Sequence, residues 1–305
     1  MSKSVLVMGS FVADLAFRAA RLPAWGETLM GSSFALGPGG KGSNQAVACA
    51  RAGAKTQFFS RLGDDAFGKI ARELWASDGI DASLVGTCST ATGAATIMID
   101  QARGENAIIV VPGACFTLTP AEVDAAAETI RSAGVFLTQL ELPLDTVARG
   151  LQIARDAGVP TILNPAPATA LPESIYQHVD YITPNETETA ILTGVTVTDI
   201  ASAEKAADAF LARGVRNAII TLGAQGVFVK NAAIKAHVPA VNAGKVLETT
   251  GAGDAFNGGF AVALSEGMGL VEAARFGCAT AGISVTRAGT APSMPTRAEI
   301  DAILK

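Results

Sequence analysis

The chain opens with four consecutive apolar residues, Val5-Leu6-Val7-Met8, that stop at Gly9. A strand that is apolar at every position has no face to give to water, so it belongs inside a sheet covered on both sides. Similar runs return at Gln57–Ser60, Val135–Thr138, Thr161–Leu163, Tyr181–Thr183, Ala218–Thr221 and Val227–Val229. Between them lie segments with helical spacing: Gly42–Ala52, Phe67–Asp78, Pro120–Ser132, Leu144–Ala157, Asn185–Leu192, Ala203–Arg213, Ala252–Gly267 and Leu270–Thr286, with a last one over Thr296–Leu304. This alternation predicts an α/β fold, with a mostly parallel sheet between two layers of helices. Apolar residues make up 49% of the chain and aromatic ones only 6%, a composition that suits tightly packed helices on a sheet better than an all-β sandwich.

Two segments break the rhythm. Phe17–Leu36 carries Pro23, Gly26 and Gly31 among β-prone residues and has no helical pattern. Ala94–Val111 alternates through Thr96-Ile97-Met98-Ile99-Asp100, turns at Ala102-Arg103-Gly104 and returns through Ala107–Val111, which reads as a hairpin. Together they predict a small β lid of residues 17–36 and 94–111 on a main α/β domain of residues 1–16, 37–93 and 112–305. Such a flap can close over a ligand and exclude water.

Several classes of function are set aside by what the chain lacks. The net charge is −5 with no basic block, which argues against nucleic acid as a partner. No apolar stretch approaches the ~20 residues of a membrane span. The four cysteines, Cys49, Cys88, Cys115 and Cys278, form no C-x-x-C pair, and His178 and His237 are the only histidines, so a zinc site is not expected. The apolar run after Met1-Ser2-Lys3-Ser4 is too short for a secretory core. The expectation is a cytoplasmic protein with reduced thiols.

The strongest local signal is Glu248-Thr249-Thr250-Gly251-Ala252-Gly253-Asp254-Ala255-Phe256-Asn257-Gly258-Gly259-Phe260. Small residues lead into an apolar helical pattern, so the backbone N–H groups at the helix start can face an anion, helped by the helix dipole. Asp254 in the first turn can take a proton from a hydroxyl while those N–H groups receive a phosphoryl group. A glycine-rich helix start with Asp254 serving only the dipole is the plainer alternative.

Gly37-Pro38-Gly39-Gly40-Lys41-Gly42-Ser43-Asn44-Gln45-Ala46 is the second signal. Its glycines allow close approach to a polar ligand, or a tight turn under a helix. The formal G-x-G-x-x-G at Gly37, Gly39 and Gly42 does not directly follow the first strand, as a dinucleotide fingerprint should. It is not a P-loop either, because Gly42 stands where Ser or Thr is needed and Ala35 where Gly is. A nicotinamide-dependent oxidoreductase is thus a weak rival, as is a non-catalytic sugar binder that has kept Asp254 and its glycines.

Pro184-Asn185-Glu186-Thr187-Glu188 follows a strand and starts a helix, at the sheet edge where α/β proteins bind ligands. Glu188 and Asn185 can order water around magnesium, or simply cap the helix. Thr221-Leu222-Gly223-Ala224-Gln225-Gly226 is a glycine turn between strands. Glu141 lies at another strand's carboxyl end. Asp14 has acceptor sites to spare for two sugar hydroxyls, or caps a turn.

In order and spacing these motifs resemble the ribokinase branch of the PfkB sugar-kinase family. The likeness runs from Val5 to Leu304 and takes in Gln139-Leu140-Glu141, Asn164-Pro165-Ala166-Pro167 and Val285-Thr286-Arg287-Ala288-Gly289 through Pro292-Ser293. The resemblance implies a three-layer α/β sandwich with a β lid and an ATP-dependent kinase acting on a pentose hydroxyl, O5 of D-ribose first. It implies Asp254 as base, with Gly251, Ala252 and Gly253 as anion hole. Asp14, Gly40, Lys41, Asn44 and Glu141 would hold the sugar. Asn185, Glu188, Thr221, Gly223 and Gly226 would serve ATP, with Glu188 reaching Mg2+ through water. A monovalent cation, usually K+, would sit by Glu248, Thr250, Ser284, Arg287, Gly289 and Ser293. A lid-to-lid homodimer is a further implication.

Two positions depart from the family pattern. Glu248 stands where the family usually has the shorter acid. Val12 stands where ribokinases usually carry asparagine. Valine cannot hydrogen-bond a hydroxyl, and burying one unpaired costs about 1–3 kcal/mol. Kinases of 2-deoxyribose carry an apolar residue there, so that sugar, or another small furanose, is the alternative substrate.

Overall fold

The computed structural model describes residues 4–305. Met1–Lys3, at the start of the expected 1–16 segment, lie outside the described residues. Thirteen strands run in chain order as β1 (Val5–Met8), β2 (Val12–Ala19), β3 (Ser33–Gly39), β4 (Thr56–Gly63), β5 (Asp81–Cys88), β6 (Thr92–Asp100), β7 (Glu105–Gly113), β8 (Val135–Thr138), β9 (Thr161–Leu163), β10 (Tyr181–Ile182), β11 (Asn217–Thr221), β12 (Val227–Lys230) and β13 (Lys235–Val238). The helices are α1 (Lys41–Arg51), α2 (Ala66–Ser77), α3 (Pro120–Ala125), α4 (Ala127–Ser132), α5 (Leu144–Asp156), α6 (Glu173–Tyr176), α7 (Glu186–Thr193), α8 (Ile200–Ala212), α9 (Ala252–Ser265), α10 (Leu270–Ser284) and α11 (Arg297–Leu304).

Nine strands form the main sheet in the order β13-β12-β11-β10-β9-β8-β1-β4-β5. Pairing is parallel from β11 to β5, and β12 runs antiparallel to both its neighbours. Alternate residues of each strand feed two separate cores. Val5, Val7, Val135, Leu137 and Ile219 pack on one face with α1, α2, α9, α10 and α11. Leu6, Met8, Phe136, Ala218 and Ile220 pack on the other with α3 to α8. This is the expected three-layer sandwich, and both faces of the central strands are dry.

Helix α1 is seated unusually close to the sheet. A Cβ on Gly42 would lie 2.6 Å from the Gly9 backbone and from the Ser10 nitrogen, so only glycine fits. Trp75 of α2 fixes the other flank: it packs edge-on to Phe11 and donates its indole N–H to Ser43 Oγ at 2.9 Å.

The second sheet has the order β3-β2-β6-β7. Its β6–β7 hairpin turns where expected, with Asp100 Oδ1 accepting from the N–H groups of Ala102 and Arg103. The strands reach further towards the main sheet than 17–36 and 94–111, since β2 starts at Val12 and β7 ends at Gly113. Asp14 therefore sits on a strand of this second sheet. Two strands were not anticipated. Both β5 and β13 end the main sheet, so one side of each faces water and neither is a wholly apolar run. The expected Pro120–Ser132 helix is interrupted at Ala126 and forms α3 and α4.

Candidate active site

Parallel strands that all end on one side bring their following loops together. Ser10 after β1, Gln139 and Glu141 after β8, Asn164 after β9, Asn185 after β10 and Gly223 after β11 all lie at that carboxyl edge. Helices α1 and α9 meet it with their amino ends, and the second sheet stands over it through β2 and β3.

Asp254 lies in the first turn of α9, 7% exposed. The helix begins at Gly251, whose φ of 81° only glycine adopts without strain. Nothing lies within 4 Å of where a Gly253 Cβ would be, so the start of the helix faces open space. Asp254 is held by neutral donors: Asn44 Nδ2 donates to Oδ2 at 3.0 Å and Gln45 Nε2 to Oδ1 at 2.9 Å. Asn44 Oδ1, buried, has no partner of its own among the described residues.

Around it stands a group of acids with one lysine. Burial pushes the Asp14 carboxyl up to about 6, and the charges of Glu141 and Asp254 push the same way. Burial would lower the Lys41 ammonium, but Asp254, Glu141 and Glu188 together more than offset this and hold it above the ordinary lysine value. Burial also raises Glu188, against the pull of the Asn185 N–H and Lys41. Glu141 accepts from Ser10 Oγ and, at 2.9 Å, from the Lys41 backbone N–H. Gly39 touches Asp14, for a Cβ there would lie 2.2 Å from Oδ2. Asp14, Gly40, Lys41, Asn44, Glu141, Glu188 and Asp254 thus share one site.

Asn185 and Glu188 cap α7 reciprocally: Asn185 Oδ1 accepts from the Glu188 N–H at 2.8 Å, and Glu188 Oε2 accepts from the Asn185 N–H at 2.9 Å. Capping and facing the site are compatible, since Glu188 keeps a second oxygen. Thr221 donates its N–H to the Pro184 carbonyl at 2.9 Å, and Gly223 is exposed beyond it. Gly226 is a packing glycine, where a Cβ would lie 2.2 Å from the Val238 carbonyl.

The loop after α10 closes on the start of α9. Glu248 Oε2 accepts from the Gly289 N–H at 2.9 Å, and Ser293 Oγ donates to the Thr290 carbonyl at 2.7 Å. Thr290 packs against Gly251 and donates to the Pro38 carbonyl of β3 at 3.2 Å. Ser284 donates to the Ala281 carbonyl, and the Arg287 guanidinium turns away to Glu299. Arg287 can therefore offer a cation only its carbonyl. Among the described residues no three His, Cys, Asp or Glu side chains cluster as a metal site. The one-sided surplus of carboxylates fits a magnesium ion that keeps its waters and phosphate ligands. The oxygen-only set of Glu248 and its neighbours fits a hard monovalent cation.

Gln45, Asn164, Thr183 and Asn257, none of them a site candidate by sequence, are all buried and hydrogen-bonded beneath Asp254. Their signal is a polar side chain at the end of an apolar strand or inside an apolar helix.

Known proteins resemble this chain in both sequence and fold. Residues 2–297 match the pfkB family carbohydrate kinase model. The chain is 44% identical over 300 residues to the ribokinase of Haemophilus influenzae, covering 98% of this chain and 97% of that one. It is 35% identical over 294 residues to the deoxyribokinase of Salmonella typhimurium, covering 96% and 95%. The structure of Arabidopsis thaliana ribokinase complexed with ribose and ATP matches with a TM-score of 0.94 at 33% identity, covering 100% of this chain and 99% of that one. With sequence and fold matched from end to end, the chain belongs to the pfkB family of carbohydrate kinases.

Proposed function

We propose that the protein transfers the γ-phosphoryl group of ATP to O5 of D-ribose. The observation that carries this reading is the Asp254 carboxylate in the first turn of α9, beside an unobstructed helix start and within reach of the charges of Asp14, Lys41 and Glu188. Asp14, Gly40, Lys41, Asn44 and Glu141 hold the sugar, and the unpaired Asn44 Oδ1 accepts from one of its hydroxyls. Asp254 takes the O5 proton as O5 bonds to the γ-phosphorus. The bond from that phosphorus to the bridging oxygen breaks, and ADP leaves with the electron pair. The N–H groups of Gly251 and Gly253 offset charge on the migrating group, joined by that of Ala252 once it leaves the Thr249 carbonyl, to which it donates at 3.1 Å.

Asn185, Glu188, Thr221 and Gly223 line the nucleotide side, and Gly226 shapes the turn behind them. Glu188 would hold Mg2+ through water, and the ion would neutralise phosphate charge. Glu248, Thr250 and Ser293, with the carbonyls of Ser284, Arg287 and Gly289, would hold K+ and keep the start of α9 in place. The second sheet acts as the lid of the proposed two-part division. Its β7 edge shows Ile108, Ile109, Val110 and Val111 to solvent, which supports a lid-to-lid homodimer. No helix among the described residues is long and apolar enough to cross a membrane; we place the reaction in the cytoplasm.

Val12 favours a second reading. It is 4% exposed, lies two residues before Asp14 on β2 and has no side-chain donor or acceptor. A pentose lacking one hydroxyl leaves nothing unpaired against it, so 2-deoxy-D-ribose is the competing substrate. An ADP-release assay over a sugar panel, with and without K+, decides. Higher kcat/KM for ribose supports the first reading, and the reverse order replaces it with the second. Asp254→Asn should cut turnover by ~10²-fold or more with sugar binding nearly intact. Retained turnover removes Asp254 as base.

A further inference from the structure

Beneath the candidate site runs a chain of buried hydrogen bonds whose donors all point one way. Gln139 Nε2 donates to Gln45 Oε1 at 2.6 Å. Gln45 Nε2 donates to Asn164 Oδ1 at 3.0 Å and to Asp254 Oδ1 at 2.9 Å. Asn164 Nδ2 donates to the Thr183 carbonyl at 3.2 Å. Thr183 Oγ1 donates to Asn257 Oδ1 at 2.7 Å, a much shorter contact than its 3.4 Å approach to the Leu163 carbonyl. Asn257 Nδ2 donates to the Gly253 carbonyl at 2.9 Å.

Gln45 and Gln139 are fully buried, Thr183 and Asn257 are 1% exposed and Asn164 is 7% exposed. Desolvating polar side chains is costly unless they are paired, and every polar group of these five has a partner except Gln139 Oε1, which is buried without one among the described residues. The bonds from Gln139 through Gln45 to Asn164 are aligned head to tail and polarise one another; at Thr183 the link passes from the backbone carbonyl to the side-chain hydroxyl, so there the coupling is mechanical. The chain meets one turn of α9 at two points: Gln45, where it branches, holds the Asp254 carboxylate, and Asn257, within α9 itself, holds the carbonyl of Gly253 next to it.

We propose that this relay, with Gln45 as its node, is a positioning device that locks the Asp254 carboxylate and the start of α9 into one geometry for phosphoryl transfer. The inference rests on the reading of Asp254 as base. The relay residues do not touch the reacting atoms; they act through Asp254 and Gly253. Three strand ends, after β8, β9 and β10, supply Gln139, Asn164 and Thr183, so the rigid sheet itself sets the position of the base.

The test uses the full chain with ATP, Mg2+ and the preferred sugar. Thr183→Val removes the hydroxyl donor at nearly constant volume, and Thr183→Ser keeps it. The Val variant should lose ~10-fold or more in kcat, with both KM values within about twofold of wild type, while the Ser variant stays near wild type. Equal behaviour of Ser and Val overturns the proposal, because packing alone would not separate them by the hydroxyl.

Gln45→Glu gives a second readout. It sets a further carboxylate against Asp254, which already faces Lys41 of α1, Asp14 of β2, Glu141 after β8 and Glu188 of α7. The acid limb of the kcat/KM profile should move up by ~1 pH unit. An unmoved limb in a folded variant counts against Gln45 as the node. Asp254→Asn, run alongside, separates the two layers of inference. If that variant keeps its turnover, the base assignment fails. If it is inactive while Thr183→Val matches Thr183→Ser, only the relay fails.

Discussion

Asp180 and Asp254 are two aspartates of nearly equal burial, 6% and 7% exposed, at opposite edges of the same sheet. Asp180 precedes β10, at the amino edge. Arg155 and Arg216 both donate to its Oδ1, and Oδ2 accepts from the Thr161 N–H at 3.1 Å. Asp254, at the carboxyl edge, is held only by the neutral amides of Asn44 and Gln45, among other acids. A carboxylate matched by cations anchors a fold and has little left to offer. One held by amides keeps its charge available, at some expense in stability. With Asp254 as the proposed base, the same sheet separates anchoring from chemistry by its two ends.

The sharpest way to break this contrast is to neutralise each acid in turn. The turnover loss of ~10²-fold or more expected for Asp254→Asn should come with unfolding free energy within about 1 kcal/mol of wild type in urea melts. Asp180→Ala should do the opposite. Losing the shared partner of two arginines should cost about 3–5 kcal/mol of stability, with kcat unchanged well below the melting temperature. A variant of Asp180 that stays stable but loses turnover would erase the distinction.

Asp14→Asn sharpens it within the carboxyl edge. Burial and the neighbouring acids raise the Asp14 carboxyl in the folded state from 3.8 to about 6. The stability that Asp14 contributes is therefore complete below pH 4 and is lost as pH rises through 6. Asparagine does not ionise, so the variant should match wild type below pH 4 and exceed it by up to about 2–3 kcal/mol above pH 7, while sugar binding is lost. Calorimetric melts across this range are the measurement. The smallest effect belongs to Arg216→Ala. Its side chain is 64% exposed against 18% for Arg155, so its removal should cost about 1 kcal/mol or less.

How much of this was legible in the sequence followed burial and chain locality. Val5–Met8 and Val135–Thr138 matched their strands residue for residue, because a strand dry on both faces leaves an unbroken apolar run. Edge strands such as Asp81–Cys88 leave no such trace. Asp254, Asn44, Lys41 and Glu188 were readable because each lies in a compact motif of glycines and polar residues at a helix start. The relay was not readable as a unit. Gln45 and Thr183 lie 138 positions apart by their numbering, and only the packing of α1 on the carboxyl edge of the sheet joins them, through Asn164. Asn185 shows the converse: cap and ligand are alternatives by sequence, yet the cap geometry leaves room for both.

The seat of Gly42 on Gly9 and Ser10 bears on how such an enzyme can be redesigned. With backbone pressed against backbone there, the floor of the cleft has no volume to trade, and a larger residue at that point would push α1, and Asn44 with it, off the base. On the proposed reading, new sugar preferences are to be written from the roof, at Val12 of β2, where a strand can exchange a side chain without disturbing the helix beneath.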